Sequence, residues 1–369
     1  MFPYNFSWNL HIMSLGFTNI LQLMLVFQSS VFGAFLITQG RGKKISNSLL
    51  AGFLFILAIH MGFNLHFELN LQWGLPDITN SFGFLYGPIL YLYITSLIYR
   101  DFRFKKFDLA HLAPWLIILL VSLFINLPVW LSGLCIVSSI LAYLVLSLVK
   151  IKHFHQVIKN TESRFSAIAL IWMQRFIYGL FIIVVIDSIH SAMLINSLVM
   201  ENIFYGLLIG ALLFFVTSLV FNGLRQPEIF LGLTTEDEDI TQAAQERYAG
   251  SKLQEAELAK LGEEIDRYFH TEKPYEHPEL SIQILAEQLG QSAKLISEVI
   301  NRHFGQNFSE YVNSHRIEEA KKLIETSDHK TTILEILYAV GFNSKSSFYT
   351  AFKQYTGKTP SEYKKQINS

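Results

Sequence analysis

Uninterrupted apolar stretches of about twenty residues leave a chain few folds, because roughly 20 apolar helical residues are what a bilayer core about 30 Å thick requires. Seven such stretches occur here: Leu15 to Ile37, Ile45 to Phe67, Ser81 to Tyr99, Leu109 to Asn126, Val129 to Val149, Ile168 to Leu194 and Asn202 to Phe221. A helix satisfies its own backbone hydrogen bonds in lipid, so the pattern predicts a seven-helix transmembrane bundle over residues 1–224. At 51% hydrophobic and 16% charged, the chain carries more apolar side chain than one soluble core uses. Seven of its 30 acidic residues precede Phe221, and 23 follow. An apolar front half is therefore joined to a charged rear half.

Orientation follows from the loops. The first, third and fifth carry Arg41, Lys43 and Lys44; Arg100, Arg103, Lys105 and Lys106; and Lys150, Lys152, Lys159 and Arg164. The N-terminal segment and the even-numbered loops carry no Lys or Arg. Positive loops stay in the cytoplasm, which predicts a multi-pass protein of the bacterial cytoplasmic membrane with its N-terminus outside and its rear half inside. Met1 to Ser14 lacks the basic residues of a secretory signal, so the first apolar stretch is expected to remain as a span. The single cysteine, Cys135, excludes an intrachain disulfide and reads as a buried structural residue.

Polar residues inside the spans are exceptions that need a role. Asp187 and His190 stand three residues apart on one helical face, and His60 lies inside the second span. Ionisable groups at that depth are expensive, which makes these three the candidate signal-sensing residues for an inducing ligand that the sequence does not identify. Hydrogen bonding between helices is the alternative, the role expected of Gln22, Gln28, Asn126 and Asn196. Pro88 and Pro114 are expected to kink their helices. The rival for the front half is a transporter or membrane enzyme, although no matched pair of broken spans is present.

Residues 225–262 form an acidic cytoplasmic linker with the run Glu236 to Asp239. Such a run is either a solvated tether or, given Leu253, Ala256, Leu258, Leu261 and Ile265, a helical connector. From there to Ser369 the pattern is that of a soluble all-α domain, residues 263–369. Ile282, Leu285, Ala286 and Leu289 make a short apolar stripe ending at Gly290; fifty-one residues on, Ile333, Ile336, Leu337 and Val340 repeat it ahead of Gly341. Ser292 and Ser344 are placed to cap second helices, with Ile296, Ile300 and Phe304, and Phe348, Phe352 and Tyr355, facing inward. These are two helix-turn-helix units, at about 281–304 and 332–356, joined by one long amphipathic helix from Phe308 to Thr326. At ~1.5 Å per residue that helix spans roughly 28 Å, close to the ~34 Å between successive major grooves on one face of DNA.

The run Gly341-Phe342, Phe348, Phe352-Lys353, Gly357 and Pro360 resembles the C-terminal signature of AraC-type (AraC/XylS) transcription regulators, with the likeness extending from about Ile265 to Lys365. The stretch Gly87 to Tyr93 is similar to the multi-span sensor region of membrane-bound members of the Bacteroidetes kind. The resemblance implies double-stranded DNA as a partner and a membrane-anchored transcription regulator as the function. Removing the inward residues leaves Lys294, Ser297, Glu298, Asn301 and Arg302 on the first recognition helix and Lys345, Ser346, Tyr349, Thr350 and Lys353 on the second. Lys can donate to guanine, Asn can read adenine and Glu can accept from cytosine; otherwise these are solvated helix faces. Lys358, Lys364 and Lys365 suit phosphate.

From Ile265 onward there are 13 basic and 13 acidic residues, although Lys330 to Ser369 holds six Lys against two Glu. A neutral domain lacks the usual basic footprint, which predicts a homodimer or adjacent half-sites. No phosphate loop, metal-ligand cluster or nucleophile motif stands out, so neither an enzyme nor a cofactor is expected.

Overall fold

The computed structural model describes residues 16–40, 42–71, 74, 76–125, 128–164, 168–192, 198–225, 232–245, 254–326 and 331–367. Arg41, Asn126, Asn196, Leu253 and Lys330 lie outside them. Among the described residues there is no strand, only two isolated bridges. The chain divides into two compact units. The first comprises Met1–Leu97, Phe102–Leu148 and Trp172–Gln226; the second comprises Ile98–Asp101, Val149–Ile171 and Pro227–Ser369.

The apolar stretches become α1 (Phe17–Thr38), α2 (Lys44–Glu68), α3 (Thr79–Ile98), α4 (Ala113–Ser122), α5 (Val129–Thr161), α6 (Ile171–Ala192) and α7 (Leu198–Arg225). Among the described residues, six of these are long and apolar enough to cross a membrane. The exception is the expected fourth span. Over its length a 3-10 turn, Lys106–Leu112, leads into the ten-residue α4. Pro114 stands in the first turn of α4, where its missing N–H costs nothing, so it starts that helix instead of kinking it. At ~2.0 and ~1.5 Å per residue the two pieces together reach roughly 29 Å. Pro88 does lie inside its helix, α3.

In the first unit α1 packs along α2 and α7. Gln22 donates to Glu68 at 2.8 Å and Gln28 to Thr217 at 2.5 Å, each joining two helices as expected. Large apolar side chains point outward: Phe27 is 71% exposed, Leu207 70% and Phe214 69%. A water-facing surface rarely gathers such residues. Cys135 is on that outer face, which corrects its assignment to the core; on a helix apolar all round, burial cannot be read from hydropathy.

The second unit contains α8 (Thr235–Gln245), α9 (Glu255–Glu272), α10 (Ile282–Gln288), α11 (Ala293–His303), α12 (Phe308–Thr326), α13 (Ile333–Ala339), α14 (Lys345–Thr356) and α15 (Pro360–Ile367). One core gathers Ile265, Phe269, Leu285, Ile296, Ile300 and Tyr311; another gathers Ile317, Ile324, Leu337, Val340, Phe348 and Phe352. Helix α12 feeds both. The acidic run forms the first turn of α8, where carboxylates oppose the positive end of the helix dipole. Asp237 is 9% exposed and accepts hydrogen bonds from Thr234 at 2.8 Å and from Gln283.

Candidate nucleic-acid interface

Each helix-turn-helix unit is built by the same local devices. Gly290 (φ 63°) and Gly341 (φ 87°) close α10 and α13 in the left-handed region, where a Cβ is strained. Ser292 Oγ accepts from Leu295 N at 3.2 Å, and Ser344 Oγ from Ser347 N at 3.1 Å. These caps fix where α11 and α14 begin and which faces they turn inward. Ile296, Ile300, Phe348 and Phe352 are fully buried. Tyr355, expected inward, is 39% exposed, with its hydroxyl donating to the Glu310 carbonyl at 2.8 Å. A phenol buries its ring and keeps its oxygen at the rim.

The two recognition helices differ in what they present. On α14, Lys345, Ser346, Thr350 and Lys353 are exposed and Tyr349 is partly so. Tyr349, Thr350 and Lys353 border one open hollow with Gln354 and Thr359. Lys345 lies over the Tyr349 ring, 5.3 Å from its centroid. This is a continuous polar face with an exposed lysine at each end.

On α11 the arrangement departs from expectation. Lys294 is exposed, but Ser297 is 1% exposed and Glu298 only 6%. Both α8 and α9 pack against α11, and α8 seats Ile240 in the core beneath it. The remaining polar groups are turned on each other. Asn301 donates to the Ser297 carbonyl at 2.8 Å. Arg302 is held between Glu298 at 2.7 Å and Glu255 of α9 at 2.5 Å. In this arrangement only Lys294 of the five α11 residues stands clear for a base edge.

The same unit contains chain from between the apolar helices, which the sequence did not signal. Leu233 N donates to the Ile98 carbonyl at 2.7 Å, and Arg100 N to the Leu233 carbonyl at 3.0 Å. Tyr99 donates to Glu238 of α8 at 2.6 Å. After α5, Ser163 N donates to the Leu280 carbonyl at 3.3 Å, and Arg164 pairs with Glu279 at 3.1 Å. Arg316 of α12 is 1% exposed; it donates to the carbonyls of Tyr275 at 2.7 Å and His277 at 2.9 Å, and to Ser163 Oγ at 3.3 Å. It occupies the stripe of Val312 and Ala320, so its place in the core was legible from spacing, though its partners were not. A small cleft beside it is lined by Ser163, Arg164, Asn343, Ser347 and Thr350. That sets the loop after α5 against one edge of α14.

Two ionisable groups here are displaced. Burial pushes the Glu162 carboxyl up to about 7, against the pull of Arg164, with Asp237 and Glu279 adding to the rise. Burial drops the His315 imidazole to about 4, although Asp266 opposes it; the ring packs among Phe269, Tyr275 and Tyr311. His315 is therefore neutral near neutral pH, whereas Glu162 titrates there.

The candidate sensing residues lie in the first unit. His60 Nδ1 is 2.6 Å from the Tyr86 hydroxyl. His60, Tyr86 and Asp187 line one cavity of about 270 Å³ whose walls are otherwise apolar. His190, one turn on from Asp187, stacks on Phe204 with ring centroids 3.7 Å apart. Among the described residues no group of three or more His, Cys, Asp or Glu is placed to hold a metal ion.

Residues 285–366 match the family profile described as a helix-turn-helix domain. An uncharacterized HTH-type transcriptional regulator of Staphylococcus aureus is 35% identical over 88 residues, 24% of this chain and 12% of its own. The Msm operon regulatory protein of Streptococcus mutans is 30% identical over 90 residues, 24% of this chain and 32% of its own. The chain thus spans a third or less of the length of these curated relatives. No solved structure matches.

Proposed function

We propose that this chain, whose C-terminal domain is an AraC-type helix-turn-helix domain, is a membrane-anchored, sequence-specific transcription regulator that couples a signal received by its apolar bundle to promoter binding. The observation that carries the coupling is that Ile98–Asp101 and Val149–Ile171, from between the apolar helices, fold within the compact unit of the DNA-binding domain. One continuous helix, α5, supplies residues to both units. A movement of that helix would reach Ser163, Arg164 and thence Arg316 without a flexible tether.

Helix α8 is the element that would respond. Docked on α11, it would shield the face that carries Glu298, which lies opposite Ile296 and Ile300 and so toward DNA, while Ser297 sits beside Ile300 and is buried with it. The docked form is the one that binds DNA poorly, and release of α8 opens the first recognition helix. Helix α14 remains presented in either form, and with its surrounding lysines it supplies the electrostatic hold on phosphate. Contacts from Lys294, Asn301, Arg302, Lys345, Ser346, Tyr349, Thr350 and Lys353 to bases or phosphates are part of this reading, as is dimerisation on paired half-sites.

The Lys/Arg asymmetry supports a cytoplasmic rear half in the inner membrane. A transporter with a regulatory appendage is disfavoured because the cavity holding His60 and Asp187 has apolar walls and is not a polar passage. Crosslinking the full-length chain to chromosomal DNA in cells tests the proposal: recovered fragments should cluster at a few promoters. Reporter fusions after Phe107 and Ser369 should read as cytoplasmic and one after Leu71 as external. Unspecific recovery of DNA, or an external C-terminus, overturns it.

A further inference from the structure

We infer that the cavity of the front unit is a binding site for a lipophilic amine: an elongated apolar body carrying one primary or substituted ammonium group. The inference rests on the reading that the apolar helices form a membrane bundle, and it names the ligand class of the sensing site. The cavity has contributions from α2, α3, α5, α6 and α7. At about 270 Å³ it is near the lower end of the range for small-molecule pockets, about 300–1,000 Å³.

Its polar groups share one level. His60 is eight residues from the Glu68 end of α2, Tyr86 seven from the Thr79 end of α3, and Asp187 five from the Ala192 end of α6. At ~1.5 Å per residue these are depths of roughly 8 to 12 Å, all from the ends that the loop charges assign to the outside. His60 and Tyr86 satisfy each other. Asp187 makes no hydrogen bond and no ion pair within 4 Å among the described residues, and the neighbouring His190 ring stacks on Phe204. A carboxylate beside an apolar cavity at that depth accepts hydrogen bonds, and Asp187 is the one acidic residue of the lining.

That chemistry selects the occupant. A carboxylate or phosphate head would meet Asp187 with like charge, and a plain hydrocarbon would leave it unpartnered. An ammonium group would donate to Asp187 and lie among aromatic faces, for Phe53, Phe176, Phe215 and Tyr86 all line the walls, and ring faces attract cations. Phe176 and Phe215 stand edge to face, 5.2 Å between centroids. The apolar body of the ligand fits between Leu144, Leu180 and Leu212, with entry from the outer leaflet.

The test uses the full chain in phosphatidylcholine nanodiscs with three probes bearing the same photoreactive alkyl chain: dodecylamine, dodecanol and dodecanoate. The amine should label residues of α6 and α7 that line the cavity, such as Phe176 and Phe215, and be displaced by unlabelled dodecylamine. Asp187→Asn should cut that labelling at least tenfold, and Val184→Phe, which fills the cavity and keeps the carboxylate, should cut it too. The alcohol and the acid should label only outward residues such as Phe27 and Phe214. Equal cavity labelling by the acid, or amine labelling unchanged in both variants, overturns the inference. A promoter reporter separates this from the coupling proposal. Cavity labelling without any change in reporter output keeps the site and removes its link to transcription. Reporter output altered by Asp187→Asn without amine labelling in the wild type keeps the link and removes the amine.

Discussion

Truncating Ile240 to alanine should make the full-length chain bind its promoter more tightly. Ile240 is 1% exposed and sits in the core with Ile296, Val299 and Ile300, and it is contributed by α8, a separate helix packed on α11. Replacing a buried Ile by Ala costs about 2–5 kcal/mol, and here the cost falls on the docked position of α8. Apparent affinity scales with the fraction of molecules in the competent form. Taking the lower figure, and ~1.4 kcal/mol per tenfold, release of α8 raises DNA affinity by about 30-fold, up to the limit set by the docked fraction. Fluorescence anisotropy with promoter DNA and the protein in nanodiscs reads this directly. Gln283→Ala, which removes the bond to Asp237, should move affinity the same way by less, since a single hydrogen bond contributes about 1 kcal/mol. Unchanged or weaker DNA binding by Ile240→Ala, in a protein whose melting shows the remaining core intact, would refute occlusion by α8.

Phe352→Ala should destabilise the rear unit by about 3–5 kcal/mol, because the ring is fully buried against Phe348 and Tyr363; a calorimetric melt checks it. Lys345→Ala should weaken binding by about 1–3 kcal/mol at one base position, and an equal loss on every sequence tried would reassign Lys345 to phosphate. Glu162→Gln should act only at high pH. The native carboxyl titrates at about 7 against 4.5 unfolded, so the native state holds a proton that the unfolded chain has lost between those values, and stability falls as pH rises through them. At pH 8 the glutamine should be more stable by up to about 3 kcal/mol, from ~1.4 kcal/mol per unit of displacement, and at pH 4 it should be indistinguishable by chemical denaturation.

Local chemistry was legible where one residue type settles one geometry. Gly290, Gly341, Ser292 and Ser344 located both helix-turn-helix units, and the apolar stripe gave α12 from Phe308 to Thr326. The fourth apolar stretch was legible, but its division into a 3-10 turn and a short helix was not, because hydropathy counts apolar residues and is blind to Pro114 restarting the helix. Cys135 failed for a related reason: in a helix apolar on every side, the inward face leaves no mark. On α11 the wheel set Glu298 apart from Ile296 but left Ser297, three residues from the buried Ile300, on the outer face, and it gave no sign that α8, from an acidic segment more than fifty residues earlier, packs against that helix. Long-range packing of α8, and of the loop bearing Ser163, depends on shape complementarity that no periodicity encodes. His60 and Asp187 were flagged by polarity alone; their convergence on one cavity required the folded helices.

Gly341 has a consequence for promoter architecture. A Cβ there would come within 2.3 Å of the Tyr275 carbonyl oxygen, and that same carbonyl accepts from Arg316. The second helix-turn-helix is thus pressed onto the segment between α9 and α10, while α12 braces it from the other side. If both units read DNA as proposed, this packing opposes swivelling about α12, and the DNA has to present its half-sites at the interval the protein sets. Inserting five base pairs between the half-sites would rotate one of them by about half a turn, onto the far face of a duplex that repeats every ~10–10.5 base pairs. Helical phase, more than distance, is then the variable by which a promoter is accepted or ignored.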